Sequence, residues 1–299
     1  MSQQPSTLCI LGCGNLGRAI LTNLVNKSSD NDKAIPITNF IACVRSEASR
    51  DLLTQRFGDK VSVRINDIIA AAQEADVVIL GVDPADLAGV LTHPGLRDSL
   101  ADKLVISIAA GWTGARIEET LYSSKTTAEN QAGRAFILRA LPNIAASVSQ
   151  SLTAIAVSEP KPPAHHLALA EAILGRIGQT VQVNPSLMDA TTAVAGSTPA
   201  FFAIICDALV DASVAVGMPR AVAEKMIFQS MKGTAEMLQS GVHTGVLRDQ
   251  GTCPEGCTIG GIMVLEEGAV RGHVGRALRE AVTAARLMET VTHVNDTRH

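Results

Sequence analysis

The chain has 299 residues, enough for two domains of ordinary size, and it is aliphatic rather than aromatic: 46% hydrophobic, with one Trp and one Tyr. A formal net charge of −4 gives no electrostatic reason to expect a nucleic acid or an anionic membrane surface as partner. The apolar runs read as too short to span a bilayer, and the start MSQQPST has no basic segment followed by an apolar one, so the expectation is a cytoplasmic protein. The six cysteines agree, because Cys9, Cys13 and Cys43 fall in strand or strand-turn positions that suit reduced, buried thiols. Cys253 and Cys257 are spaced C-x-x-x-C with no second Cys/His pair to complete a metal site, so no metal is expected.

Residues 8–11 form a short apolar run, as a strand buried on both faces of a parallel sheet requires. Gly12, Gly14 and Gly17 follow in G-x-G-x-x-G spacing, and the apolar helical pattern Ala19, Ile20, Leu24 comes after them. In that context the first glycine makes the turn, the second lets a pyrophosphate approach the backbone, and the third lets helix pack on strand. With Asn15 and Leu16, these residues make a helix N-terminus whose N–H groups and dipole suit a dinucleotide.

Residues 27–33 read as a polar loop and residues 37–44 as the second strand. The residue ending that strand selects the cofactor. An acid there would hold a ribose 2′-hydroxyl, whereas here Arg45 and Ser46 offer a cation and a hydroxyl suited to a 2′-phosphate. The expected cofactor is NADPH, with NADH as an alternative donor.

The βαβ rhythm continues with a strand at 61–64, a helix at 66–73 with Asn66 near its cap, and a buried strand at 75–82. Ligands sit beyond the carboxyl ends of such strands, which directs Val82, Asp83 and Pro84 to the nicotinamide side. A helix begins near Ala85, and a strand at 104–108 leads into the small residues Ala109, Ala110 and Gly111. Residues 122–134 read as a polar surface loop, 136–141 as a strand ending in Pro142 and Asn143, 151–157 as another strand, and 165–177 as a helix. His165 and His166 at its start read as solvated.

From Pro185 helical patterns replace strands, giving an expected division into 1–184, a dinucleotide-binding layer, and 185–299, a helical part. Helices are expected at 186–195, at 199–216 ending at Gly217, and at 219–240 ending at Gly241. The two longer ones are apolar over more than one face, which argues for burial against a second subunit. Residues 246–261 read as a polar loop before a last amphipathic helix at 262–288, and Gly256, Cys257 and Thr258 would present backbone N–H groups to an anion such as a carboxylate.

At this loop a resemblance emerges. Leu247-Arg248-Asp249-Gln250 and Pro254-Glu255-Gly256-Cys257-Thr258-Ile259 resemble the L-K-D-x-V-[ST]-S-P-G-G-[TA]-T-I signature of pyrroline-5-carboxylate reductases. The likeness extends in order over nearly the whole chain. Residues 76–84 resemble D-V-x-x-L-A-V-K-P, 107–111 S-x-A-A-G, 139–143 R-x-M-P-N, 189–201 D-A-V-T-A-L-S-G-S-G-P-A-Y, and 207–220 D-A-L-A-D-A-G-V-x-M-G-L-P-R.

The resemblance implies an N-terminal Rossmann-type doubly wound α/β sheet followed by an all-helical C-terminal dimerisation domain. It implies NAD(P)H-dependent reduction of a cyclic imine, 1-pyrroline-5-carboxylate to proline, in a homodimer or higher homo-oligomer. By the same carry-over Thr258 hydrogen-bonds the imine nitrogen or helps deliver its proton, with helix N-cap as its structural role. Cys253, Gly256 and Cys257 line the carboxylate site, and Asn66 and Asn143 contact the cofactor. A C=N bond accepts hydride readily once protonated, so positioning does most of the work and no catalytic His or carboxylate pair is needed.

Four positions depart from the family pattern: Cys253 stands for a serine, Glu255 for a glycine, Asp83 for the lysine of V-K-P, and Thr198 for a glycine of S-G-S-G-P. A thiol is a poor donor and an acid beside an anion pocket is unfavourable. These departures leave two alternatives, a reductase of a related cyclic imine in a specialised pathway and a catalytically impaired NADPH-binding homologue. A β-hydroxyacid dehydrogenase would need a lysine base on the helix at 199–216, which contains none.

Overall fold

The computed structural model describes residues 6–26, 35–127, 129–157 and 161–288; the loop expected at 27–33 lies outside them. Chain contacts divide the protein into two compact units, 1–196 with 282–299, and 197–281.

The first unit is built on an eight-stranded sheet of order β3-β2-β1-β4-β5-β6-β7-β8. The strands are β1 Ser6–Leu11, β2 Ile37–Val44, β3 Ser62–Ile65, β4 Val77–Leu80, β5 Leu104–Ser107, β6 Phe136–Leu141, β7 Ser151–Ala156 and β8 Gly178–Val183. All neighbours are parallel except β6 and β7. Strand order reverses between β1 and β4, the switch point where an open α/β sheet leaves a ligand crevice.

Period-two alternation sends side chains to two buried layers. Leu8 and Ile10 face α1 Asn15–Val25, α2 Glu47–Phe57 and α7 Ala164–Gly175. Cys9 and Leu11 face α3 Ile68–Glu74, α4 Leu87–Leu91, α5 Leu96–Ser99 and α6 Gly114–Tyr122. With both faces covered, the central strands read as unbroken apolar runs.

Bounds for β2 and β6 match the sequence expectation, but β4 is shorter than 75–82. It ends where a Cβ on Gly81 would meet the Gly12 carbonyl oxygen at 2.7 Å. Helices α2 and α6 and strand β8 are not among the expected elements: α2 and β8 carry a weak apolar pattern, whereas α6 is short but buries Ile117, Leu121 and Tyr122. In α2 only Leu53 and Phe57 are buried, and β8 is a largely exposed edge strand, GQTVQV. Tyr122 is not in a surface loop. It closes α6, is buried, and its hydroxyl accepts the Ala135 N–H at 2.8 Å, with Arg97 and Arg134 over the ring. His166 is not solvated either: it packs edge-on against Phe136 at 4.5 Å. Burial, and then neighbouring His165, hold its imidazole below the usual value.

The helices expected at 186–195 and 199–216 are one helical run, Pro185–Ala215, comprising a 3₁₀ turn, α8 Met188–Thr191, a π-turn Thr192–Ser197 and α9 Thr198–Ala215. Pro199 does not break it: the run is already widened into the π-turn before it, and the Ala195 carbonyl, one turn earlier, accepts from the Asn143 amide at 2.8 Å instead. This run is long and apolar enough, by length and composition, to cross a membrane, contrary to the expectation from the sequence.

In the second unit α9 packs on α10 Arg220–Gln239. Cys206 Sγ lies 3.3 Å from Met231 Sδ, and Asp211 pairs with Arg220 at 2.6 Å. The polar stretch 246–261 is mostly helical, with α11 Thr244–Gln250 before it turns and α12 Cys257–Glu267 after. The helix expected at 262–288 is interrupted at Gly268 and Ala269 (φ +52°) before α13 Val270–Leu287. Within this unit few side chains are buried, while Phe202, Ile204, Met226 and Val264 are more than half exposed.

Candidate active site

Six parallel strands, β1 to β6, deliver their carboxyl ends to one edge, and hydrogen bonds and close packing tie the loops there together. The first βα turn is fixed by contact with β4. Gly12 has φ +87°, and a Cβ on it would lie 2.6 Å from the Val82 backbone. Gly17 sits where a Cβ would come within 3.1 Å of the Gly12 carbonyl, so helix α1 starts against the turn. Gly14 is different: it is exposed, with nothing within 4 Å of a Cβ built on it. It caps α1 without a side-chain acceptor, leaving Asn15, Leu16 and Gly17 to present their backbone N–H groups. The Arg18 guanidinium bonds the Asn15 side chain at this opening. The open backbone and uncapped helix end fit a pyrophosphate. Beneath them burial pushes the Cys13 thiol up to about 12, so it stays protonated and inert.

At the neighbouring loops, Ser46 caps α2 by accepting the Ser49 N–H at 3.3 Å. Asn66 is not in α3 but precedes it in the left-handed region (φ +54°); its N–H donates to the Val44 carbonyl at 2.9 Å and its amide to the Arg45 carbonyl at 3.4 Å. Arg45 pairs with Asp86 at 2.6 Å, which joins the β2 loop to the β4 loop. Asp83 turns its carboxylate to the Ala85 N–H at 2.9 Å. Pro84 accepts the Trp112 indole N–H at 2.9 Å, which joins the β4 and β5 loops, with Arg116 stacked 4.0 Å over the indole. Between them run Ala109, buried, and Ala110.

Asn143 follows β6 at the same edge, with its amide engaged at both ends. Its oxygen accepts the Ala145 N–H at 3.1 Å and its nitrogen donates to the Ala195 carbonyl at 2.8 Å in the π-turn. Arg18, Trp112 and Asp86 were not singled out from sequence. The visible signals were the only Trp directly after Gly111 and an acid two residues past Pro84.

In the second unit residues 251–256 form the loop before α12. Gly256, not Thr258, is the N-cap (φ −74°, ψ 159°), and it supplies no side-chain acceptor. Cys257 and Thr258 therefore stand at the first two helical positions, both exposed. The loop closes by a hydrogen bond from Gly256 N–H to the Cys253 carbonyl at 3.0 Å, and Glu255 takes the left-handed φ of +59°. Cys253 and Cys257 are exposed free thiols. Among the described residues no group of three or more His, Cys, Asp or Glu side chains converges to hold a metal.

Two sequence families match. "Pyrroline-5-carboxylate reductase dimerisation" covers residues 185–288, and "NADP oxidoreductase coenzyme F420-dependent" covers residues 7–111. Pyrroline-5-carboxylate reductase of Lophium arboricola is 43% identical over 98% of this chain and 96% of its own length. A pyrroline-5-carboxylate reductase structure from Coxiella burnetii superposes with a TM-score of 0.79 at 30% identity, covering 96% of this chain and 100% of that one. The fold is shared with Plasmodium falciparum pyrroline carboxylate reductase with NADP bound, at a TM-score of 0.78 and 21% identity over 95% of this chain and 98% of that one.

Proposed function

The chain belongs to the pyrroline-5-carboxylate reductase family, and from that premise we propose that it reduces 1-pyrroline-5-carboxylate to proline with NADPH. The observations that carry the reading are an open glycine-turn cradle after β1 in the first unit and, separately, an uncapped, Thr-bearing helix start at α12 in the second. A dinucleotide held at this turn would supply the hydride. Asn15, Leu16 and Gly17 hold its pyrophosphate through backbone N–H groups, with Gly12 and Gly14 leaving room. Arg45 and Ser46 meet the 2′-phosphate, Asn66 the adenosine, and Val82, Asp83, Pro84, Ala109, Ala110 and Asn143 border the rest.

The N–H groups of Cys257 and Thr258, with Gly256 and Cys253 in the turn before them, hold the substrate carboxylate at the positive end of α12. Thr258 hydrogen-bonds the imine nitrogen, donating to it when neutral and accepting from it once protonated. The added proton raises the electrophilicity of the carbon, and orientation supplies most of the acceleration.

The helical part from residue 185 acts as a dimerisation domain. Exposed Phe202, Ile204 and Val264 support burial against a second copy rather than against lipid, as does the dimerisation family covering the long apolar run. The buried free thiols Cys9, Cys13, Cys43 and Cys206 support a reducing, cytoplasmic setting.

The test is oxidation of NADPH, followed by absorbance, when purified protein meets pyrroline-5-carboxylate. The presence of Glu255 beside the anion site favours one second reading, a related cyclic imine. Turnover of an imine lacking the carboxylate, with none of pyrroline-5-carboxylate, would replace the proline assignment.

A further inference from the structure

We propose that Asp86 sets how strongly this protein discriminates NADPH from NADH, by competing with the 2′-phosphate for Arg45. The proposal rests on the reading that Arg45 meets that phosphate. Arg45 directly follows β2, where a dinucleotide's adenosine ribose sits in this fold. Its guanidinium is 77% exposed yet already engaged, with Nη1 2.6 Å from Asp86 Oδ2. Asp86 is itself 43% exposed and approaches from the β4 loop. The other acid of that loop, Asp83, has turned its oxygen to the Ala85 N–H. Asp86 is thus the carboxylate that faces the cation.

The consequences differ for the two cofactors. A 2′-phosphate carries close to two negative charges and needs the guanidinium fork. In this protein it must share that fork with Asp86 or displace it, while meeting the carboxylate's charge at short range. A 2′-hydroxyl is neutral and meets no such opposition. Asp86 therefore weakens NADPH selectively and leaves NADH little affected, which narrows a preference that Arg45 alone would make steep. The pair is exposed, so the effect is modest, about fivefold in affinity.

The full-length protein is titrated with NADPH and with NADH, reading energy transfer from Trp112 to the bound reduced dinucleotide. Asp86→Asn should tighten NADPH about fivefold and move NADH less than about twofold. The gain should vanish on an Arg45→Ala background, as a double-mutant cycle requires if the two residues act through each other. Unchanged or weaker NADPH binding by Asp86→Asn, with circular dichroism and thermal midpoint as in the parent, would overturn the proposal, because the pair would then be orienting Arg45 rather than occupying it. A gain that persists in full without Arg45 would overturn it too, pointing to general charge repulsion. Asp86→Ser repeats the test should the Asn variant fold poorly. A parent protein that binds both dinucleotides equally, with Arg45→Ala without effect, would instead overturn the assignment of Arg45 on which the proposal stands.

Discussion

The Trp112 indole donates a 2.9 Å hydrogen bond to the Pro84 carbonyl, so the loop after β5 holds the shape of the loop after β4. The indole is buried, and Arg116 closes over it at 4.0 Å. Trp112→Phe keeps an aromatic ring but removes the donor and the second ring of a buried indole, leaving the Pro84 carbonyl without its partner. We expect a loss of about 2–3 kcal/mol in stability, from the lost bond and the space left behind. NADPH affinity should fall severalfold while kcat at saturation changes less. Thermal unfolding and steady-state kinetics measure the two.

Gly12 and Gly14 separate folding from binding. An alanine at Gly12 collides with the Val82 backbone at 2.6 Å and needs a φ of +87°, so Gly12→Ala should yield little folded protein. An alanine at Gly14 meets no atom within 4 Å, so Gly14→Ala should melt like the parent. On the proposed reading its methyl group enters the pyrophosphate site, and the NADPH dissociation constant should rise about tenfold or more, some 1.4 kcal/mol. Melting curves with and without NADPH distinguish the two effects.

Thr258 is exposed at the second position of α12 and is not its cap. Thr258→Ala should therefore leave the helix and the NADPH affinity intact. Turnover should drop by about 10- to 100-fold, the range for a hydrogen bond to a charged group. Unchanged turnover would remove the hydroxyl from the mechanism.

Glu255 holds a φ of +59°, which a side chain tolerates at a cost of about 1 kcal/mol. Glu255→Gly relieves that strain and gives back part of it as unfolded-state freedom. The midpoint of thermal unfolding should rise by about 1–3 °C. Removing the carboxylate should also lower KM for an anionic imine, and Cys253→Ser added to it should lower KM further by restoring a donor.

His166 gives the fold a pH dependence. Its imidazole lies below the usual 6.5 because burial, then His165, disfavours the cation. The unfolded chain therefore takes up its proton first as the pH falls. The stability His166 contributes is complete above about 6.5 and is lost on acidification below it. His166→Gln should flatten the fall in thermal midpoint between about pH 7 and about pH 5.

Strand β2 could be recognised from its buried end, 41–44, because burial on both faces there admits only apolar side chains, whereas Thr38 and Asn39 near its start are exposed. The glycine turn was legible for a related reason, since backbone collisions dictate residue type there. Edge strand β8 and helix α2 were not legible. Their burial is slight, so neither carries much apolar pattern of its own. Tyr122 was not legible either: its polar neighbours suggested a loop until Ala135 and the flanking arginines were brought around it. On α12 the cap fell two residues before Thr258, at Gly256, because helix starts are set by backbone angles that composition only weakly encodes.

By itself the sequence determined the alternating layout, the dinucleotide turn, the cation following β2 and the order of motifs that marks the family, all of which depend on residue type at short spacing. Only the tertiary structure decided that Arg45 is already paired with Asp86, 41 residues away, and that Trp112 steadies Pro84 across two loops. Such contacts join separate strand ends, and they exist only once the sheet has aligned those ends along one edge.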